Sequence, residues 1–135
     1  LYGRPVAPDQ LAAALAEHPD AVADASWNLG ILWSRAGRPE RALQAYRAAS
    51  ALAPFAAKYL LAAAFQELDL HRTAQARNGF LRAIDVDPAS ADAYAGAGMA
   101  ALVRGDRALA LHYARRSAAI DPRGHALRTL ERALR

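Results

Sequence analysis

The chain has 135 residues, 54% of them hydrophobic, no cysteine and a formal charge of +4. That length and apolar content suffice for one domain with a sizeable core; the absence of cysteine excludes a disulfide framework, a thiol nucleophile and thiolate zinc sites, and no run of about 18 apolar residues is present to span a membrane. The positive charge is almost all arginine, with Lys58 the only lysine, and it is spread along the chain, which reads as the composition of a GC-rich bacterial genome and not as a nucleic-acid surface. Abundant alanine, the strongest helix former, points to an all-α chain.

The first eight residues, LYGRPVAP, carry two prolines and a glycine and read as an irregular lead-in. Leu1 is neither a methionine nor the start of a basic and apolar leader, so the chain is expected to be an excised domain or processed product. Bacterial cytoplasm and periplasm both stay open, with any targeting signal outside these residues. Asp9 is a plausible N-cap for a short helix to about Glu17, stopped by Pro19. Residues 1–22 therefore read as a lead-in and the remnant of a degraded repeat that covers the open end of the stack.

From residue 23 the chain repeats. Proline recurs at Pro54, Pro88 and Pro122, a period of 34. The same period aligns Gly30, Ala64 and Gly98; Ala42, Ala76 and Ala110; Tyr46, Phe80 and Ala114; and Ala49, Ala83 and Ser117. A 34-residue period on helical spacing is the mark of a two-helix solenoid unit. Residues 23–56 form the first unit, with helices predicted over about Ala21 to Ala36 and Pro39 to Leu52, separated by Gly37 in a left-handed turn. Residues 57–90 form the second, with helices near Phe55 to Leu70 and Thr73 to Val86; His71 replaces the turn glycine and is among the residues that tolerate positive φ. Residues 91–124 form the third, with helices near Ala91 to Arg104 and Arg107 to Ile120 around Gly105 and Asp106. Residues 125–135 end the chain as an amphipathic cap, with Leu127, Leu130 and Leu134 on one face and arginines between them.

These residues resemble tetratricopeptide repeat proteins. The first unit carries the resemblance in Leu29, Gly30, Trp33, Gly37, Ala42, Tyr46, Ala49 and Pro54. The third carries it in Tyr94, Gly98, Gly105, Asp106, Ala110, Ile120, Asp121 and Pro122. The second is weaker in its first helix, where Ala64 replaces the contact glycine and Glu67 stands at an aromatic position, but Ala76, Phe80, Ala83, Asp87 and Pro88 hold. The resemblance implies a right-handed superhelical α-solenoid of antiparallel helix pairs, with a concave groove lined by the first helix of each unit that binds a peptide segment of another protein.

Helical spacing then assigns the groove. If Leu29, Gly30 and Trp33 face the core, then Asp24, Trp27, Asn28, Ile31 and Arg35 face away. The matching positions are Lys58, Leu61, Ala62, Phe65 and Asp69, then Asp92, Ala95, Gly96, Met99 and Val103. The expected binding residues are Trp27, Asn28, Ile31, Leu61, Ala62, Phe65 and Met99, an apolar stripe of the kind that marks an interaction surface. Three readings of this stripe remain: a groove for an apolar or amphipathic partner segment, a surface filled by LYGRPVAP or by a second copy in a homo-oligomer, and ordinary core.

By resemblance, a clamp for acidic chaperone tails would need lysines, asparagines and an arginine where this chain has Trp27, Ile31, Ala62, Asp92 and Gly96, so no such clamp is expected. Asn28 resembles the asparagine that holds a peptide backbone in some family members, but Ala62 and Gly96 replace it later. Gly96, Gly98 and Ala101 match a dinucleotide pattern on paper but lie within a helix with no strand before it. The four histidines, His18, His71, His112 and His125, lack metal-ligand spacing. No catalytic residue, metal or cofactor is expected, and the arginines of the outer helices read as a solvated face. The chain is expected to be a non-enzymatic interaction scaffold, standing alone or as the recruiting segment of a larger enzyme or export machine.

Overall fold

The computed structural model describes residues 17–135, so the expected lead-in and the helix from Asp9 lie outside the described residues apart from Glu17. The described residues form seven helices: α1 (Pro19–Arg35), α2 (Pro39–Leu52), α3 (Ala57–Asp69), α4 (Thr73–Val86), α5 (Ala91–Val103), α6 (Arg107–Ile120) and α7 (His125–Leu134). There is no strand among the described residues. Each of α1, α3 and α5 packs on the helix after it, and α3 and α5 also pack on the helix before them. The result is an α-solenoid of three helix pairs closed by α7.

The turn inside each pair is built the same way. Gly37, His71 and Gly105 take positive φ, at 73°, 60° and 84°. The next N–H, of Arg38, Arg72 and Asp106, then reaches back to the carbonyl of Trp33, Glu67 and Ala101 at 2.9, 2.8 and 2.9 Å. This left-handed end satisfies carbonyls that the helix terminus leaves unpaired and turns the chain into the next helix. His71 therefore holds the conformation that glycine holds in its two counterparts. Between pairs, the Asp87 and Asp121 carboxylates accept from the N–H groups of Ala89 and Arg123 at 3.1 and 3.0 Å. Side chains of Ser90 and Asp106 cap the starts of α5 and α6, a contribution worth about 1 kcal/mol each.

Two predicted boundaries move. Pro19, expected only as a stop, occupies the first turn of α1, where its lack of an N–H costs nothing. Phe55, expected in the third helix, instead stands 86% exposed in the turn before it.

The core is a series of close contacts between small residues and large ones. A Cβ on Gly30 would lie 2.4 Å from the Tyr46 ring, and one on Gly98 would lie 2.5 Å from Leu130. In the second pair the glycine has changed helices: Ala64 sits on α3, and a Cβ on Gly79 of α4 would come within 2.9 Å of it. Phe80 is fully buried and reaches forward to the next pair, where a Cβ on Gly96 would lie 2.1 Å from its ring. At the end of the stack, Leu127, Leu130 and Leu134 of α7 are buried against Ala101, Ala110 and Ala114, while Arg128, Glu131, Arg132 and Arg135 stay exposed. The Arg107 guanidinium donates to the Leu134 carbonyl and ties α6 to this cap.

Glu67, at the position of Trp33, is buried, and its Oε1 accepts from Arg47 at 3.4 Å. Its Oε2 has no hydrogen-bond partner among the described residues.

The Gly96 contact fixes the sign of a substitution. Alanine in mid-helix should stabilise by about 1 kcal/mol through propensity alone, but overpacking a filled core costs about 1–3 kcal/mol. Phe80 is buried and braced by Phe65, so its ring has no free direction in which to yield. Gly96→Ala is therefore expected to lower the urea midpoint, which equilibrium denaturation followed by circular dichroism would measure.

Candidate functional site

The face shared by α1, α3, α5 and α7 divides into a closed half and an open half. The closed half lies between α1 and α3. Lys58 Nζ donates to Asp24 Oδ1 at 2.8 Å, and the Tyr59 hydroxyl donates to the same oxygen. The Lys58 ammonium also lies 5.1 Å from the centre of the Trp27 ring and 4.9 Å from that of Tyr59. Trp27 meets Tyr59 edge-on, with ring centres 6.4 Å apart. The hydrogen bond from Lys58, then that from Tyr59, holds the Asp24 carboxyl below its ordinary value. The bond to Asp24 raises Lys58. Burial, and then the Asp24 hydrogen bond, raises Tyr59. Polar partners and the aromatic faces around Trp27 thus already engage one another.

The open half is a cavity of about 350 Å³ between α3, α5 and α7. Phe65 and Leu68 of α3, Met99 of α5 and Ala126 of α7 give it an apolar lining. Phe65 is set by its edge-on contact with Phe80, ring centres 4.8 Å apart, so the cavity floor rests directly on the core. Asp69 and Asp92 stand at its rim with His125 and Thr129. Partial burial raises the Asp69 carboxyl above its ordinary value, and the positive charge of His71 opposes that only in part. Asp69 and Asp92 make no ion pair among the described residues. An apolar socket with carboxylates at its edge can hold a hydrophobic side chain and orient a neighbouring cation.

No family model matches the sequence, and no curated protein matches it. Solved structures do match. The TPR domain of Arabidopsis OM64 superposes with a TM-score of 0.79 at 20% identity, covering 86% of this chain and 96% of that one. The second TPR domain of human RPAP3, solved in complex with the HSP70 peptide SGPTIEEVD, gives 0.77 at 21% identity, covering 86% and 97%. YrrB, described as a TPR protein with an unusual peptide-binding site, gives 0.73 at 20% identity over 82% of this chain and 57% of that one. The chain has the tetratricopeptide-repeat fold.

On this tetratricopeptide scaffold the residues named for the groove occupy different surroundings. Phe65 and Met99 line the open cavity. Trp27 is half-buried beneath Lys58, and Ile31 and Ala62 are half-buried against Ala42, Leu43, Tyr46 and Ala63. Leu61 packs between the clusters around Phe80 and Leu60. Asn28 is exposed. Two expected orientations are corrected. Leu29, expected in the core, is 48% exposed; its counterparts Ala63 and Ala97 are buried against the preceding pair, and α1 has no such pair among the described residues. Ala95 and Gly96, expected toward the groove, are buried, Gly96 under Phe80.

Spacing within single helices also misses the contribution of α7. His125, Ala126 and Thr129 escape a reading of α7 as a cap alone. Their signal is present in the sequence: they lie off the Leu127, Leu130 and Leu134 stripe, in a helix that continues the odd-numbered series.

The Asp69 shift has a definite sign. A carboxyl raised by folding is destabilising once ionised, so the cost is absent below its unfolded value and sets in as pH rises through the window up to the folded one. Asp69→Asn is expected to raise the melting temperature slightly at pH 7, with the gain vanishing in acid below the ordinary carboxylate range. Thermal melts across that range would check it; an advantage independent of pH would not fit.

Proposed function

We propose that this chain is a non-enzymatic protein-interaction module that holds a peptide segment of a partner in the cavity between α3, α5 and α7. The observation that carries this reading is the socket of Phe65, Leu68, Met99 and Ala126, open on the face formed by successive first helices. Support also comes from the neighbours in structure: the second TPR domain of RPAP3 is solved with an HSP70 peptide and the first TPR of Spaghetti with the HSP90 peptide SRMEEVD. The binding surface proposed here centres on Phe65 and Met99 and extends along α7. Trp27, Ile31, Leu61 and Ala62 serve more as the wall that leads to it than as contacts.

Self-association is a second reading, favoured by a separate observation. Leu29, Leu32 and Phe55 are 48%, 61% and 86% exposed around the first pair, and none of them lines the socket. Light scattering over a concentration series distinguishes it: a dimer that Leu32→Glu dissociates would support it, and a constant monomer would remove it.

For the peptide reading, Phe65→Arg is a poor test because it would also strip support from Phe80. Ala126→Arg and Thr129→Arg instead fill the cavity from α7, away from the buried leucines. A peptide selected on the wild-type chain from a random displayed library is expected to bind each variant at least about tenfold more weakly, a loss of about 1.4 kcal/mol, with helical content unchanged. Undiminished binding to both variants would place the site elsewhere.

A further inference from the structure

We propose that the cavity selects a basic segment: an apolar side chain seats among Phe65, Leu68 and Met99, and a lysine or arginine beside it reaches Asp69 and Asp92. This inference rests on the peptide-binding reading above and adds the partner's charge to it.

The first support is where the charges stand. The chain carries a formal charge of +4, yet no lysine or arginine lines this cavity among the described residues. Elsewhere three acidic side chains, Asp24, Glu40 and Glu67, pair with a lysine or arginine. Asp24 takes Lys58 at 2.8 Å, and Glu40 takes Arg72 at 2.7 Å. Asp24 and Lys58 occupy the same position in successive pairs, which shows that an ion pair between neighbouring first helices is within reach of this fold. Arg35 and Asp69 also share a position, but they form no such pair. The imidazoles that bear on the rim are His125 in its wall and His71 close to Asp69.

The second support is what the fold asks of each carboxylate. Asp92 lies in the first turn of α5, where the N–H groups of the helix start favour a negative charge. Its presence has a reason internal to the helix. Asp69 is the last residue of α3, where the exposed carbonyl oxygens disfavour one. Its position beside an apolar socket adds a desolvation cost. No lysine or arginine among the described residues pairs with Asp69, and one carried in by a ligand would.

Together the two carboxylates would repel a segment like the acidic SRMEEVD and SGPTIEEVD peptides found with the structural neighbours. The lining is thus complementary to a partner of the opposite sign.

The test is to select a random peptide library displayed on phage against the wild-type chain and against an Asp69→Asn, Asp92→Asn double variant. Both changes are nearly isosteric, and circular dichroism would verify the fold. Wild type is expected to enrich lysine or arginine close to an apolar residue, and the double variant to keep the apolar preference but lose the basic one. A synthetic peptide from the wild-type selection should bind the double variant about fivefold to tenfold more weakly, from two partly screened charge pairs. Its wild-type affinity should also fall with added salt.

Enrichment of apolar residues with no basic preference would overturn the charge inference and leave the groove reading standing. Enrichment of acidic residues would overturn it as well. Selected peptides that ignore Ala126→Arg, or no selection at all, would overturn both.

Discussion

The structure depends on helices that touch backbone to ring. Tyr46 covers Gly30, Phe80 covers Gly96, and Leu130 covers Gly98, each at a distance that leaves no room for one more carbon. A repeat fold gains most of its stability from interfaces between neighbours, and here the neighbours meet through a large side chain pressed into a site without a Cβ. This arrangement explains both the alanine-rich composition and its few aromatics. Alanine brings helix axes close, and a ring fills the space that remains. Removing a glycine or a ring would disturb two helices at once, because packing at crystal-like density transmits strain.

The same constraint shapes the candidate site. Phe65 meets Phe80 on one side and the cavity on the other, so the socket is the outer surface of the core. Its walls come from three consecutive odd-numbered helices and are held by the stacking that holds the fold. A site supported in this way is preorganised, and binding there spends little on ordering its own side chains. The α1 and α3 end differs. There Lys58 joins Asp24, Tyr59 and the face of Trp27, which closes that stretch with exposed polar contacts of small individual worth.

The fold is legible in the sequence because the period is long, repeated and built of residues with definite steric roles. Pro54, Pro88 and Pro122 set the frame, and Gly37, His71 and Gly105 take the left-handed turns expected of them. The sidedness of single helices is less legible. A helical wheel shows which residues share a face but not which neighbour covers it. Leu29 has the character of a core residue and lacks the preceding helix pair that buries Ala63 and Ala97. Gly96 has the period of a groove residue, but Phe80 of the preceding pair extends over it. Both errors concern contacts between pairs, which a pattern within one helix does not encode.

α7 shows how a structural role and a binding role can share one short helix. Its leucines close the stack by covering Ala101, Ala110 and Ala114. That docking turns the flank with His125, Ala126 and Thr129 toward Met99 and Phe65. Without α7 the cavity would lose one wall, and the third pair would expose its apolar end. The cap required by any solenoid therefore also completes the pocket. It places the enclosed part of the inner face at the C-terminal pairs, where Asp69 and Asp92 stand, and away from Trp27, where the stripe of apolar residues begins.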